Sequence, residues 1–282
     1  MESKENNQEP PAATVTLCQV NERVSCGACC GLYNVPHLAQ GRLSRMLARR
    51  TELFAAVART EDDLYDFKRR IEGWTPPERP FPLFHHCPFL GLIGRNRRRV
   101  GCMLHPQAPG NQGVDWRHLS HYGGLACRTY FCPSLEHLSP VRLQILQRAC
   151  DHWYLYGLIV TEHRLLNAFF QEIERRIGRP LAADDVAPSG EAAVMLRKLA
   201  ALKIAWPYRR PDGAGPCNYF FENQEYPRPP LVRGKGVPSS RFDAVFSELE
   251  SEFITAGDLC AAERLLEDLF ARLVRVLENP NG

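Results

Sequence analysis

The sequence predicts a mainly α-helical protein with a small irregular core around a β-hairpin in its first half and an α-helical C-terminal half. Apolar residues recur at helical spacing through most of the chain. One segment, 87–106, instead has two short apolar runs on either side of a turn-forming tetrapeptide. Hydrophobic residues at 44% and charged residues at 24% are typical of globular domains, so a chain of 282 residues can bury a sizeable core.

Two helices are predicted in an insert spanning about 37–73. The second begins at Thr60, which forms a capping box with Asp63, and ends at Gly73 and the pair Pro76-Pro77. Residues of the first helix that recur at helical spacing are Leu43, Met46, Leu47, Leu53, Phe54 and Val57.

The segment 87–106 is predicted to form the hairpin. Apolar residues 89–93 lead into Gly94-Arg95-Asn96-Arg97, and residues 100–104 return. Pairing of these runs brings Cys87 and Cys102 to the same end of two strands, an arrangement that suits two ligands of one metal site. The run of arginines in the turn is interpreted as a solvated hairpin tip, with a dedicated anion site as the alternative.

The second half is predicted to be a helical bundle. Ser139 as N-cap and Pro140 at the first helical position open its first helix, whose apolar stripe continues to Trp153. The later predicted helices span 161–177 and 191–205, and two more begin at the caps Ser240 and Thr255 and continue to Leu277. The predicted organisation is a disordered leader (1–13), a cysteine-cluster domain (14–138) and a helical domain (139–282) with a Pro/Gly-rich loop (206–238).

Cysteines are concentrated in the first half of the chain. Seven of the eleven precede residue 133 in three tight groups. These are Cys26, Cys29 and Cys30, then Cys87 and Cys102, then Cys127 and Cys132. The sequence shows neither a secretory signal nor an apolar run near the roughly 20 residues of a membrane span, so we expect a cytoplasmic protein with no membrane partner. Thiols stay reduced in the cytoplasm, and clustered cysteines there indicate a metal site.

The spacing within the groups suggests the ligand chemistry. Cys26-Gly27-Ala28-Cys29 is a knuckle whose glycine permits a tight turn that points both sulfurs at one ion. Adjacent side chains project in different directions, so Cys29 and Cys30 can serve two ions or two metals of one cluster. Cys87 and Cys132 both precede proline, as the last cysteine of bacterial ferredoxin motifs does.

These motifs resemble a known family. CGACC, then CPFL, then a lone cysteine followed by His-Pro, then CRTYFC, are similar in order to the YkgJ-type cysteine-cluster family over roughly residues 20–135. The resemblance implies zinc or iron chelation by the seven cysteines. Arg23 stands where the family has a cysteine, and an insertion at 107–126 displaces its Arg-Pro element. Candidates for the missing ligand are Cys18, His85, His86 and His105, or no residue at all.

The resulting functional hypothesis is a protein that binds an iron–sulfur cluster or zinc. Both suit thiolate ligands, and the Cys-Pro pairs favour iron–sulfur slightly. An electron-transfer or redox-sensing module would dock a protein partner through the helical half. The alternatives are an interaction scaffold with structural zinc and a thiol–disulfide oxidoreductase that uses Cys26 and Cys29. No catalytic motif is present, so any enzymatic activity is expected to be redox chemistry, and the net charge of +3 gives no argument for nucleic acid.

Overall fold

The computed structural model describes residues 16–75, 78–213, 225–226 and 230–279. The predicted leader, the helix stop at Pro76-Pro77 and two parts of the Pro/Gly-rich loop, 214–224 and 227–229, lie outside the described residues. Within the described ranges, no helix combines the length and the apolar content that crossing a membrane requires.

The first half contains two helices and a hairpin, as predicted. Helix α1 spans Gln40–Ala55 and α2 spans Glu61–Trp74. Strands β1 (Leu90–Ile93) and β2 (Arg99–Cys102) pair antiparallel, with Leu90 opposite Cys102. The Thr51 hydroxyl of α1 accepts a hydrogen bond from the Leu92 N–H at 2.7 Å, which holds the helix against the hairpin.

The predicted N-cap of α2 is confirmed. The Thr60 hydroxyl accepts a hydrogen bond from the Asp63 N–H at 3.2 Å, which satisfies one of the backbone donors that a helix leaves unpaired at its start. Three acidic residues, 61–63, occupy the first turn, where negative charge interacts favourably with the helix dipole.

The second half is mainly helical. Two short helices after the hairpin are α3 (Gly123–Thr129) and α4 (Ser134–His137). The remaining helices are α5 (Pro140–Ala149), α6 (Trp153–Ile159), α7 (His163–Ile177), α8 (Glu191–Ala205), α9 (Asp243–Glu248) and α10 (Ala256–Glu278). Two-residue strands β3 (Val232–Arg233) and β4 (Glu252–Phe253) pair in parallel.

Two predictions for this half are wrong in detail. The apolar stripe from Leu143 to Trp153 does not form one helix, because α5 ends at Ala149 and His152 caps α6 by accepting from the Tyr154 N–H at 3.1 Å. The helical section that was predicted from Ser240 stops early, and Phe253 lies in β4. Glu250 adopts a left-handed φ of 55°, which turns the chain out of α9 and into this strand.

The described residues form two apolar cores, and each core contains residues from both sides of the predicted domain boundary between residues 138 and 139. Leu17 and Val24, from the cysteine-rich half, lie in the core of the helical half. Conversely, Trp153 and Leu158 of α6 lie in the core with α1, α2 and the hairpin. The Tyr33 hydroxyl of the cysteine-rich half donates a hydrogen bond to the Trp153 carbonyl of α6 at 3.2 Å, so a polar contact also joins the two halves.

A buried ion pair joins α8 to the start of α7. Lys203 Nζ lies 3.0 Å from Glu162 Oε2, and both side chains have no exposed surface. Lys203 also donates to the Glu248 carbonyl at 3.2 Å. Because the desolvation of two charges is costly, such a pair stabilises the fold only while both partners are present.

We expect Lys203→Met to lower the free energy of unfolding by about 3–5 kcal/mol, since Glu162 then keeps a buried charge and loses the cation that faces it. The double variant Glu162→Gln/Lys203→Met should recover most of this loss. Lys198→Met, on the exposed face of the same helix, should stay within about 0.5 kcal/mol of the wild type. Urea unfolding measures all three, and equal losses for Lys203→Met and Lys198→Met would contradict the assignment.

Candidate metal centre

A short β-hairpin precedes the first cysteine group. Gln19 pairs antiparallel with Ser25, and the Cys26 N–H donates to the Cys18 carbonyl at 3.0 Å. The Asn21 side chain closes the turn by accepting from the N–H groups of residues 23 and 24, both at 2.9 Å. This turn places Cys18 beside Cys26, although eight positions separate them in the sequence.

A tight turn carries the next cysteines. Residues Ala28–Cys30 form a single turn of 3-10 helix, and the Ala28 N–H donates to the Cys26 sulfur at 3.4 Å. Gly31 ends the turn with a left-handed φ of 74°. The Cys30 carbonyl then accepts from the Cys87 N–H at 2.9 Å, which attaches the segment before the hairpin to the first cysteine group.

Three other thiols, like that of Cys26, accept a hydrogen bond from the backbone N–H of the residue two positions later. Cys87 accepts from Phe89, Cys102 from Leu104 and Cys132 from Ser134. Each of these bonds favours the thiolate and therefore lowers the pKa of its cysteine, against the rise that burial causes. A turn that aims a backbone donor at sulfur prepares that sulfur to carry negative charge, as a metal ligand does.

The charge effects that the thiols exert on one another link eight of them in two groups of four. In the first group, a hydrogen bond from the Cys30 thiol lowers the pKa of Cys29, and this outweighs the effect of burial. The Cys29 charge contributes to raising the pKa of each other member, after burial as the main cause. Members of this group are Cys18, Cys26, Cys29 and Cys132. For Cys18, the most exposed of them, the pKa rises to about 12.

The second group surrounds Cys87. Donation to Cys29 and burial raise the pKa of Cys30, and the charges of Cys87 and Cys102 add to the effect. Burial raises the pKa of Cys87 to about 11 and that of Cys102 to about 12, and both thiols also experience the charge of Cys127. The members are Cys30, Cys87, Cys102 and Cys127.

The two groups separate cysteines that are close in the sequence. Cys29 and Cys30 are adjacent but belong to different groups, and so do Cys127 on α3 and Cys132 at the start of α4. The interpretation of Cys127 and Cys132 as a close pair is therefore incomplete, because proximity in the chain does not make them neighbours at one ion. Cys26 and Cys29, the knuckle residues, do share a group.

No three side chains of the Cys, His, Asp or Glu type stand, within the described residues, where they would already hold a metal ion. The ten described cysteines are all free thiols. Two of them belong to no group: Cys150 is buried, whereas Cys260 is exposed. Cys217 lies outside the described residues.

The histidines proposed as replacement ligands have other contacts. His86 lies with Nδ1 2.7 Å from the Gly31 carbonyl and Nε2 2.9 Å from Arg50. His85 stacks on His121 at 4.5 Å between ring centroids, and His105 accepts through Nδ1 from the Gln107 N–H. Burial lowers the pKa of both His85 and His86 to about 3, so they are neutral. Cys18 is the candidate that lies among the thiols.

Positive charge lies beside the second group. Arg117 acts electrostatically on Cys102 and Cys127, and it forms an ion pair with Asp115 at 2.7 Å. Arg128 Nε lies 2.8 Å from the same carboxylate, so Arg128 forms a second salt bridge with Asp115. The two arginines hold the pKa of Asp115 well below its usual range, the Arg117 hydrogen bond being the larger cause.

The essential glycine of the turn is Gly31 rather than Gly27. Gly27 has a φ of −126°, which other residues adopt readily; a Cβ there would instead approach the Val100 side chain at 2.9 Å. At Gly31, φ is left-handed and a Cβ would lie 1.9 Å from the His85 carbonyl oxygen. The backbone before Cys87 therefore approaches the turn as closely as it does only because residue 31 lacks a side chain.

Comparison of the chain with protein-family models, with curated proteins and with solved structures finds no match. The resemblance to the YkgJ-type family therefore stays a prediction. What can be said of the site depends on its own residues and their contacts.

Sequence reasoning singled out seven of the eight grouped thiols and named Cys18 only as one candidate among several. A signal for Cys18 was present. Asn21 is a turn former midway between Gln19 and Ser25, and a hairpin closed there pairs Cys18 with Cys26.

We expect Gly31→Ala to destabilise the protein more than Gly178→Ala does. Both glycines have a left-handed φ, but nothing lies within 4 Å of a Cβ at Gly178, so that variant measures the conformational cost alone, about 1 kcal/mol. The clash with the His85 carbonyl should add at least about 1 kcal/mol more at Gly31. Thermal and urea unfolding measure the difference, and equal losses would show that the close approach is not required.

Proposed function

We propose that this chain is a metal-binding protein whose two four-cysteine groups each hold one metal centre. The observation that carries the proposal is that eight thiols from separate segments lie close enough to influence one another's ionisation, in two sets of four. Four thiolates complete the ligand set both of an iron–sulfur cluster and of a tetrahedral zinc ion. Burial and mutual repulsion keep most of these thiols protonated on their own, and a bound cation would offset that repulsion.

Iron–sulfur clusters are the centre that we favour. Cys87 and Cys132, one in each group, precede proline as in bacterial ferredoxin motifs. Backbone N–H groups bond to sulfurs in both groups, and such bonds tune the reduction potential of a cluster. The chemistry that clusters supply is one-electron transfer, so the protein would act as an electron-transfer or redox-sensing module. The role of its own residues is to hold the thiolates and to shield them from water.

Zinc is the second candidate, and the knuckle favours it. Cys26 and Cys29 bracket a turn in which the Ala28 N–H bonds to sulfur, a geometry that suits a mononuclear ion. Closed four-thiolate zinc sites are structural, so the protein would then be an interaction scaffold without redox chemistry. A thiol–disulfide oxidoreductase is less well supported, since Cys26 and Cys29 follow a β-hairpin turn and not the βαβ unit of thioredoxin-like proteins.

Protein purified without oxygen should contain iron and acid-labile sulfide and should absorb broadly in the visible range. Iron, sulfide and zinc are measured on the same sample by elemental analysis and a colorimetric sulfide assay. Colourless protein with two equivalents of zinc would exclude the redox function and retain the two sites. Protein without either metal, after reconstitution has also been attempted, would contradict metal binding itself.

Substitutions in the two groups should remove different centres. We expect Cys18→Ser to lose the first centre and Cys102→Ser the second, each lowering the metal content by about half, because each variant breaks one set of four ligands. Cys260→Ser is the matched control: its thiol is exposed and belongs to neither group, so the full metal content should remain. Unchanged metal content in Cys18→Ser would remove Cys18 from the ligand set and return the first group to three cysteines.

A further inference from the structure

One face of helix α1 carries uncompensated positive charge. Arg42, Arg45, Arg49 and Arg50 recur at the spacing of a single helix face, and Glu52 is the only carboxylate of the helix. Like charges three and four positions apart destabilise a helix. Within the described residues, no carboxylate lies within ion-pair distance of these four guanidinium groups, although arginines elsewhere, such as Arg142 and Arg176, are paired at 2.6 and 2.7 Å.

This basic face lines a cavity of about 460 Å³. Residues 35–37 and the end of α2 form its other walls, including Ile71, Trp74 and Thr75. The volume falls within the roughly 300–1,000 Å³ of small-molecule sites. The walls combine apolar surface with a few charged groups, which is also the usual composition of such sites.

Arg50 brings a buried charge to the floor of the cavity. Its side chain is only 4% exposed. One nitrogen lies 2.9 Å from His86 Nε2, and the other donates to the Thr75 hydroxyl at 3.3 Å. Because His86 Nδ1 lies 2.7 Å from the Gly31 carbonyl, Nδ1 carries the proton and Nε2 accepts from Arg50. Arg50 also donates to the Cys87 carbonyl at 3.4 Å. None of these partners is a carboxylate, so they orient the guanidinium without forming an ion pair with it.

Trp74 provides an aromatic surface at the same cavity. The Arg49 guanidinium carbon lies 4.4 Å from the centre of the indole ring, and that of Arg70 lies 4.7 Å from it. Such contacts hold a guanidinium plane in a defined orientation. The indole remains 46% exposed, so part of the ring is available to a ligand.

We propose that this cavity binds a small phosphate-bearing ligand of nucleotide size. Guanidinium groups match phosphate oxygens with paired hydrogen bonds, and several of them without carboxylates suit a ligand with more than one negative charge. The exposed part of Trp74 suits a planar base. A long nucleic acid is less well matched, because the basic residues line a pocket of about 460 Å³ and the chain as a whole carries only +3.

The test is calorimetric titration of the full chain, as purified, with ADP and with pyrophosphate at fixed ionic strength. We expect one site for each ligand. Arg45→Gln/Arg49→Gln changes two exposed arginines of the cavity and should weaken both ligands at least about tenfold. Arg95→Gln/Arg98→Gln removes the same charge from the exposed hairpin tip and should leave both affinities within about twofold. Trp74→Leu should weaken ADP more than pyrophosphate, since only ADP has a base.

Three results would overturn the proposal. They are the absence of saturable binding to the wild type, equal losses in the two arginine variants, and a single-stranded 20-nucleotide probe that binds more tightly than ADP and is not displaced by it. Circular dichroism and thermal unfolding of each variant confirm that a loss of binding is not a loss of fold. The proposal does not rest on bound metal, although Arg50 of the cavity also donates to the carbonyl of Cys87, a proposed ligand, at 3.4 Å. The binding test uses variants at Arg45, Arg49 and Trp74 and the metal test uses variants at cysteines, so each proposal is judged by its own experiment.

Discussion

Two consecutive side chains must serve two different groups of thiols, and the rest of the cysteine-rich half is arranged around this constraint. Cys29 and Cys30 lie in one 3-10 turn, and the Cys30 thiol donates to Cys29. Gly31 follows with a left-handed φ that redirects the chain at once. The backbone of His85 occupies the space beside Gly31 where a side chain would lie, and this brings Cys87 to the second group.

Backbone pairing does most of the assembly. The Cys26 N–H bonds to the Cys18 carbonyl, the Cys87 N–H bonds to the Cys30 carbonyl, and Cys102 lies in β2 opposite Leu90. Each bond fixes a cysteine-bearing segment by its main chain, so the thiols remain available. Burial raises the pKa values of most of these thiols, and their mutual repulsion adds to the rise.

Local signals in the sequence were sufficient for most of the fold. Thr60 and Thr255 cap helices through hydroxyls that accept from the third residue of the helix, and the hairpin follows from its turn residues. Local signals were insufficient where contacts between distant segments decide. The strands β3 and β4 have two residues each, too few for any periodic pattern, and the turn at Glu250 depends on its tertiary setting. The same holds for the candidate site. The spacing of the cysteines in the sequence indicated which of them cluster, whereas their assignment to two groups of four depends on contacts between distant segments.

Helix α6 has a further consequence for the protein as a whole. Its Trp153 carbonyl lies next to the Tyr33 hydroxyl, just beyond the turn of Cys29 and Cys30, and its Tyr156 hydroxyl donates to the carbonyl of Leu17, the residue before Cys18. One face of this seven-residue helix belongs to each core. A rigid helix cannot follow two neighbours independently, so any change in the distance between the two cysteine segments has to rotate or translate α6. Helix α6 also packs against α8, so this one short helix links both cysteine segments to the helical half.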